Sequence, residues 1–150
     1  MKHVLSTITV RNLLVGVGAY YLSWWVSGPL AIGFGRVTHA MGIHYYGDFA
    51  GGVVMPIVLA LPYALVAAFV GASVAWIVES DRPIGWTLVP TFLYSLGLFH
   101  PANWARPPDP FERVGDAIRT LLPAVACIVA GIVAAKRRAA SQRVFDRLSD

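Results

Sequence analysis

Polar and apolar residues in this chain are segregated into blocks rather than interleaved. Four stretches, about 13–34, 53–78, 84–99 and 121–135, contain no Lys, Arg, Asp, Glu or His. A bilayer core about 30 Å thick takes about 20 apolar residues in a helix. The first two stretches reach that length, and flanking residues extend the other two. The pattern predicts an all-α polytopic membrane protein. Its four transmembrane helices form one bundle in a single domain over residues 1–150, ending in a basic tail at 136–150.

The block boundaries carry helix-start signals. Ser80-Asp81-Arg82-Pro83 can cap the third helix, because Pro in the first turn loses no hydrogen bond. Asp109-Pro110-Phe111-Glu112 places an acid, a Pro and a Glu as a capping box would. A short amphipathic helix is expected to start at Pro110 in the second outer loop and to bend into the fourth span near Pro123. Lys2 and His3 precede the first apolar run, but Tyr20, Tyr21, Trp24 and Trp25 follow it where a signal peptide would carry small residues. The first stretch is therefore expected to be retained as a span.

Helices in lipid approach each other where residues are small. The second span offers Ala64, Ala68, Ala72 and also Ala67, Gly71, Ala75; the fourth offers Ala126, Ala130, Ala134. Pro29, Pro56, Pro62 and Pro90 should kink or break the spans that hold them. The tyrosines and tryptophans at 20–25 are expected to pack in the bundle with satisfied polar tips. The alternative places them at the interface, with the span starting earlier and Arg11 snorkelling.

Composition fits this picture: 57% of residues are apolar and 13% charged, against about 25% charged in soluble domains. The net charge of +4 is no nucleic-acid signal, because five of the twelve basic residues lie in the last fifteen positions. They form a juxtamembrane patch suited to anionic lipids, and no basic stripe interleaved with aromatics exists. With four spans, eight basic residues fall on the side of the termini and four on the other. The richer side is cytoplasmic, so both termini are expected inside. Ten Arg against two Lys fits a GC-rich bacterial genome and hence a bacterial inner membrane. The lone Cys127 reads as a packing residue.

Side chains able to do chemistry gather on the outer side. Loop one, about 35–52, holds Arg36, His39, His44, Tyr45, Tyr46 and Asp48; loop two, about 100–119, holds His100, Trp104 and Arg106. His44 and Asp48, four apart, would share a helix face and are the candidate catalytic pair. His39, His44 and His100 are the candidate metal ligands, since three such groups hold zinc with a position open for water. A regular helix cannot align His39 with His44, so the set needs an irregular loop, which Gly42 and Gly47 allow. Arg36, Tyr45, Tyr46, Trp104 and Arg106 suit headgroup or substrate binding. The plainer reading makes all of these interface residues that need no cofactor.

The expected function is that of a small membrane subunit or binding module, with lipids, other membrane subunits or its own copies as partners. The alternative is an enzyme, metal-dependent in one version, acting on a lipid-linked substrate at the outer face. A channel formed by oligomerisation is third. The apolar stretches lack the ionisable groups of coupled pumps.

Overall fold

A computed structural model describes residues 2–42, 55–78, 82–96 and 110–149. Within these lie four helices: α1 (Lys2–Ala40), α2 (Met55–Ile77), α3 (Pro83–Ser95) and α4 (Pro110–Ser149). The chain is all-α. Two of its helices, over Pro56–Ile77 and Arg113–Arg143, are long and apolar enough to cross a membrane. The 23 residues of α2 rise about 34 Å at about 1.5 Å per residue. The 13 residues of α3 rise only about 20 Å. The third apolar stretch, 84–99 in sequence, holds α3 as far as Ser95, and its residues 97–99 lie outside the described residues.

Two boundaries differ from expectation. α1 does not stop at Gly35 but continues through Arg36 and His39. Charge ends an apolar stretch, yet no Pro or αL glycine interrupts the helix until Gly42, whose φ is +73°. There the Gly42 N–H donates to the His39 carbonyl and the Met41 N–H to that of Val37, both at 3.0 Å. α4 starts at Pro110 as the capping signal requires, but no separate surface helix precedes the span. One 40-residue helix contains Pro123 and carries on through the basic tail. Proline interrupts none of these helices: Pro29, Pro62, Pro90 and Pro123 all lie inside them. Pro56 occupies the first turn of α2, where a missing N–H is tolerated.

Contacts between the helices fix their directions. Gly16 of α1 abuts Val89 and Pro90 of α3, and Ser23 meets Tyr94, so these two run parallel. Gly35 lies near Leu59 while Trp24 meets Tyr63, so α2 runs antiparallel to α1. Gly71 faces Cys127 and Ala75 meets Arg138, so α4 runs parallel to α2. Thr87 faces Gly131 and Thr91 lies beside Cys127, so α3 opposes α4. The chain passes up, down, up and down.

The tightest packing is between α2 and α4. A Cβ added at Gly71 would lie 1.9 Å from the Cys127 carbonyl oxygen, so only glycine permits this approach. The Ala67, Gly71, Ala75 row is buried as its spacing predicts. On α4 the buried face is Cys127, Gly131, Ala134 and Ala135, whereas Ala126 and Ala130 are only partly covered. Ala67, Val70, Val74, Val78 and Cys127 form the core.

Candidate functional site

Of the nine residues singled out by the sequence, the structure places two. Arg36 and His39 stand one turn apart on the last turns of α1, and both are exposed. His44, Tyr45, Tyr46, Asp48, His100, Trp104 and Arg106 lie outside the described residues. Gly42, with φ +73°, follows the end of α1 three residues after His39. The end of α1 is level with the start of α2, because Gly35 packs near Leu59 four residues into α2. α3 ends lower. Tyr94 pairs with Ser23, sixteen residues before His39, which is roughly 24 Å along α1. Among the described residues no three His, Cys, Asp or Glu side chains gather as metal ligands would.

The described residues do build a polar–aromatic junction where α1, α2 and α3 meet. The Tyr94 hydroxyl donates to Ser23 Oγ at 2.6 Å, and Ser23 Oγ donates to the Tyr20 carbonyl at 2.6 Å. The Tyr20 and Tyr94 rings meet edge to face with centroids 4.9 Å apart. Trp24 bridges Tyr20 and Tyr63, at 6.3 Å from each. This is the geometry that aromatic quadrupoles favour. Tyr20 therefore packs with its neighbours as expected. Tyr21, Trp24 and Trp25 do not follow it inward, and Trp25 is 82% exposed. Trp24, Trp25 and Pro29 line an open groove of about 290 Å³ on the outer face of α1.

The inward face of α1 carries several polar residues beside Val15 and Ala19, which pack on the core. Asn12, Ser23, Ser27 and Thr38 are all buried, at spacings that put them on one helix face with Gly16. Three of them bond back to their own helix: Ser23 to the Tyr20 carbonyl, Ser27 to that of Trp24 and Thr38 to that of Gly35. Such bonds satisfy a hydroxyl without a second chain. The outward face carries Leu14, Tyr21, Leu22, Trp25 and Ile32, all more than half exposed. α4 likewise exposes Leu121, Val125, Val129 and Val133, four apart, over a buried face of small apolar residues.

A feature that the sequence did not announce lies at the opposite end. Arg138 of α4 reaches the last turn of α2, where its Nη1 donates to the carbonyls of Ala75, Trp76 and Val78 at 3.1, 3.2 and 2.9 Å. The last carbonyls of a helix have no intrahelical donor, and a cation there also opposes the helix dipole. Only the parallel packing of α2 and α4 brings the two segments together, so no local pattern reveals the pairing.

This arrangement can bind through aromatic faces, hydroxyls and cations. Cys127, buried beside Thr91, serves packing. No family model, curated protein or solved structure matches the chain.

Proposed function

We propose that the chain is a small integral membrane protein. Its four helices cross a bacterial inner membrane as one bundle with both termini cytoplasmic, and it serves as a subunit or binding module. One observation carries this reading: large apolar side chains point outward from these helices, and on α1 small polar ones point inward. Ser, Thr and Asn line the inside of α1, while Leu65, Phe69, Trp25 and Leu22 are each at least two-thirds exposed. Soluble proteins rarely expose continuous apolar faces of this extent, whereas hydrocarbon makes them the favourable side. Small inward and large outward residues on α2 and α4 are the pattern that lipid-embedded helices follow.

α3 is short, but it lies between α1 and α4 and joins them through Tyr94 and Thr87. That position supports reading it as the third span. The eight-to-four division of basic residues supports cytoplasmic termini. The binding role follows from the Trp24, Trp25, Pro29 groove and from Arg36 and His39 on the last turns of α1. These are surfaces without an assembled nucleophile–base pair among the described residues. Reporter fusions at Asp150 and within residues 102–108 test the topology. Opposite sides are expected, and the same side for both would refute four spans. Resistance to alkaline carbonate extraction is expected of the whole chain.

A further inference from the structure

The net charge of this protein is confined to one end. In the sequence, the segments at the end where α2 stops and α3 begins hold eight basic and four acidic residues. Those at the other end hold four of each. Helix directions bring Arg11, Arg82, Lys136, Arg137 and Arg138 to nearly one level: Gly16 lies against Val89, Thr87 against Gly131, and Arg138 against the end of α2. Trp76, half exposed, and Trp86 stand at that level, where amphipathic rings mark a headgroup boundary.

Arg138 is held for a purpose its three hydrogen bonds do not exhaust. All three leave from Nη1. A guanidinium has five N–H donors in a rigid fork, so the Nε and Nη2 edge is oriented but not used by these bonds. That edge matches two oxygens of a phosphate. Arg137 and Lys136, exposed, stand about 100° and 200° round α4 from Arg138, so they add charge at the same level but from neighbouring faces.

Resting on the membrane reading above, we propose that Arg138 binds the phosphate of an anionic phospholipid at the α2–α4 junction, with Arg137 and Lys136 raising the local positive potential from neighbouring faces of α4. Arg138 spends one edge on the α2 carbonyls and presents the other to the headgroup. Bound lipid thereby clamps α4 to the end of α2. Charge complementarity selects the occupant: an end with four excess positive charges sits against the leaflet that carries negative lipid.

The test titrates the full-length protein, in neutral detergent, with equimolar phosphatidylglycerol and phosphatidylcholine and counts adducts by native mass spectrometry. Wild type is expected to favour phosphatidylglycerol by about fivefold or more. Lys136→Gln with Arg137→Gln should reduce that preference by about fivefold or more without loss of fold. Arg138→Lys keeps the charge but not the fork and should also reduce it. Arg113→Gln with Arg119→Gln, at the other end, should leave it intact. Equal adducts of the two lipids in wild type, or an unchanged preference in the Lys136 and Arg137 double variant, would overturn the proposal. Displacement of the lipid by millimolar inorganic phosphate would also overturn it, because the site would then serve a soluble anion. Release of the wild-type protein from membranes by carbonate would instead overturn the membrane reading, so the two failures are separable.

Discussion

The α2–α4 pair and helix α1 solve the same problem in opposite ways. α2 and α4 approach until the backbone of one meets the backbone of the other, and Gly71 against Cys127 leaves no room for a methyl group. α1 meets its neighbours through side chains: rings and hydroxyls, with Val15, Ala19 and Gly16, where an added Cβ would stand 3.1 Å from Val89. Gly18, Gly28 and Gly33, off that contact face, have nothing within 4 Å of where a Cβ would stand. Close packing yields dispersion energy over many atoms. The α1 junction yields a few oriented polar contacts, each worth about 0.6 kcal/mol between helices in a membrane. Stability should therefore reside in the α2–α4 seam, and recognition on α1.

Substitutions can break that contrast, beginning with the largest expected effect. Gly71→Leu should cost the upper part of, or more than, the about 1–3 kcal/mol typical of overpacking, since the obstacle is a carbonyl group rather than a movable side chain. Loss of a monodisperse peak in detergent, or a large drop in Tm, would register it. A fully stable Gly71→Leu would mean the helices are not in contact. Arg138→Gln removes a charged donor from three carbonyls and should cost about 1–3 kcal/mol. Thermal unfolding should show this as a lower Tm, and hydrogen exchange as earlier opening of Trp76–Val78.

The smaller effects separate α1 from the seam. Gly131→Ala would place its Cβ 2.6 Å from Thr87 Cγ2. It should lower Tm and be partly rescued by Thr87→Ser, which removes that methyl group. Tyr94→Phe deletes the bond to Ser23 and should cost only about 0.6–1 kcal/mol. Gly18→Ala, in open space on α1, should be neutral or stabilising by up to about 1 kcal/mol. A destabilising Gly18→Ala would place α1 in a contact that the bundle does not contain.

How far the sequence carries depends on whether the deciding contact is local. The start of α4 at Pro110 and the start of α3 at Pro83 were legible, because proline suits the first turn of a helix, although no side chain caps α3. The Ala67, Gly71, Ala75 face was legible from spacing. The matching face of α4 was not: its residues 124–135 are so rich in Ala, Gly and Cys that several small-residue rows fit, and the register follows from where Gly71 docks. The length of α1 was misread because Arg36 ends an apolar stretch but not a helix. For the candidate site, spacing placed Arg36 and His39 near the mouth of the α1–α2 connection. Arg138 and its carbonyls are separated by 60 to 63 residues, so nothing local pairs them.

The central claim is that α1 points large apolar side chains outward, and small polar ones inward, because lipid surrounds it. Its most direct test is nitroxide scanning of single-cysteine variants along residues 13–34 in reconstituted vesicles, in a Cys127→Ala background. Collision rates with oxygen, which partitions into lipid, are compared with those of a water-soluble nickel chelate. The expected result is an oxygen signal with a period near 3.6, high at Leu22, Trp25 and Ile32 and low at Ser23 and Ser27, with little collision with nickel throughout. Strong nickel collision at Leu22 and Trp25 would put that face in water and contradict the account.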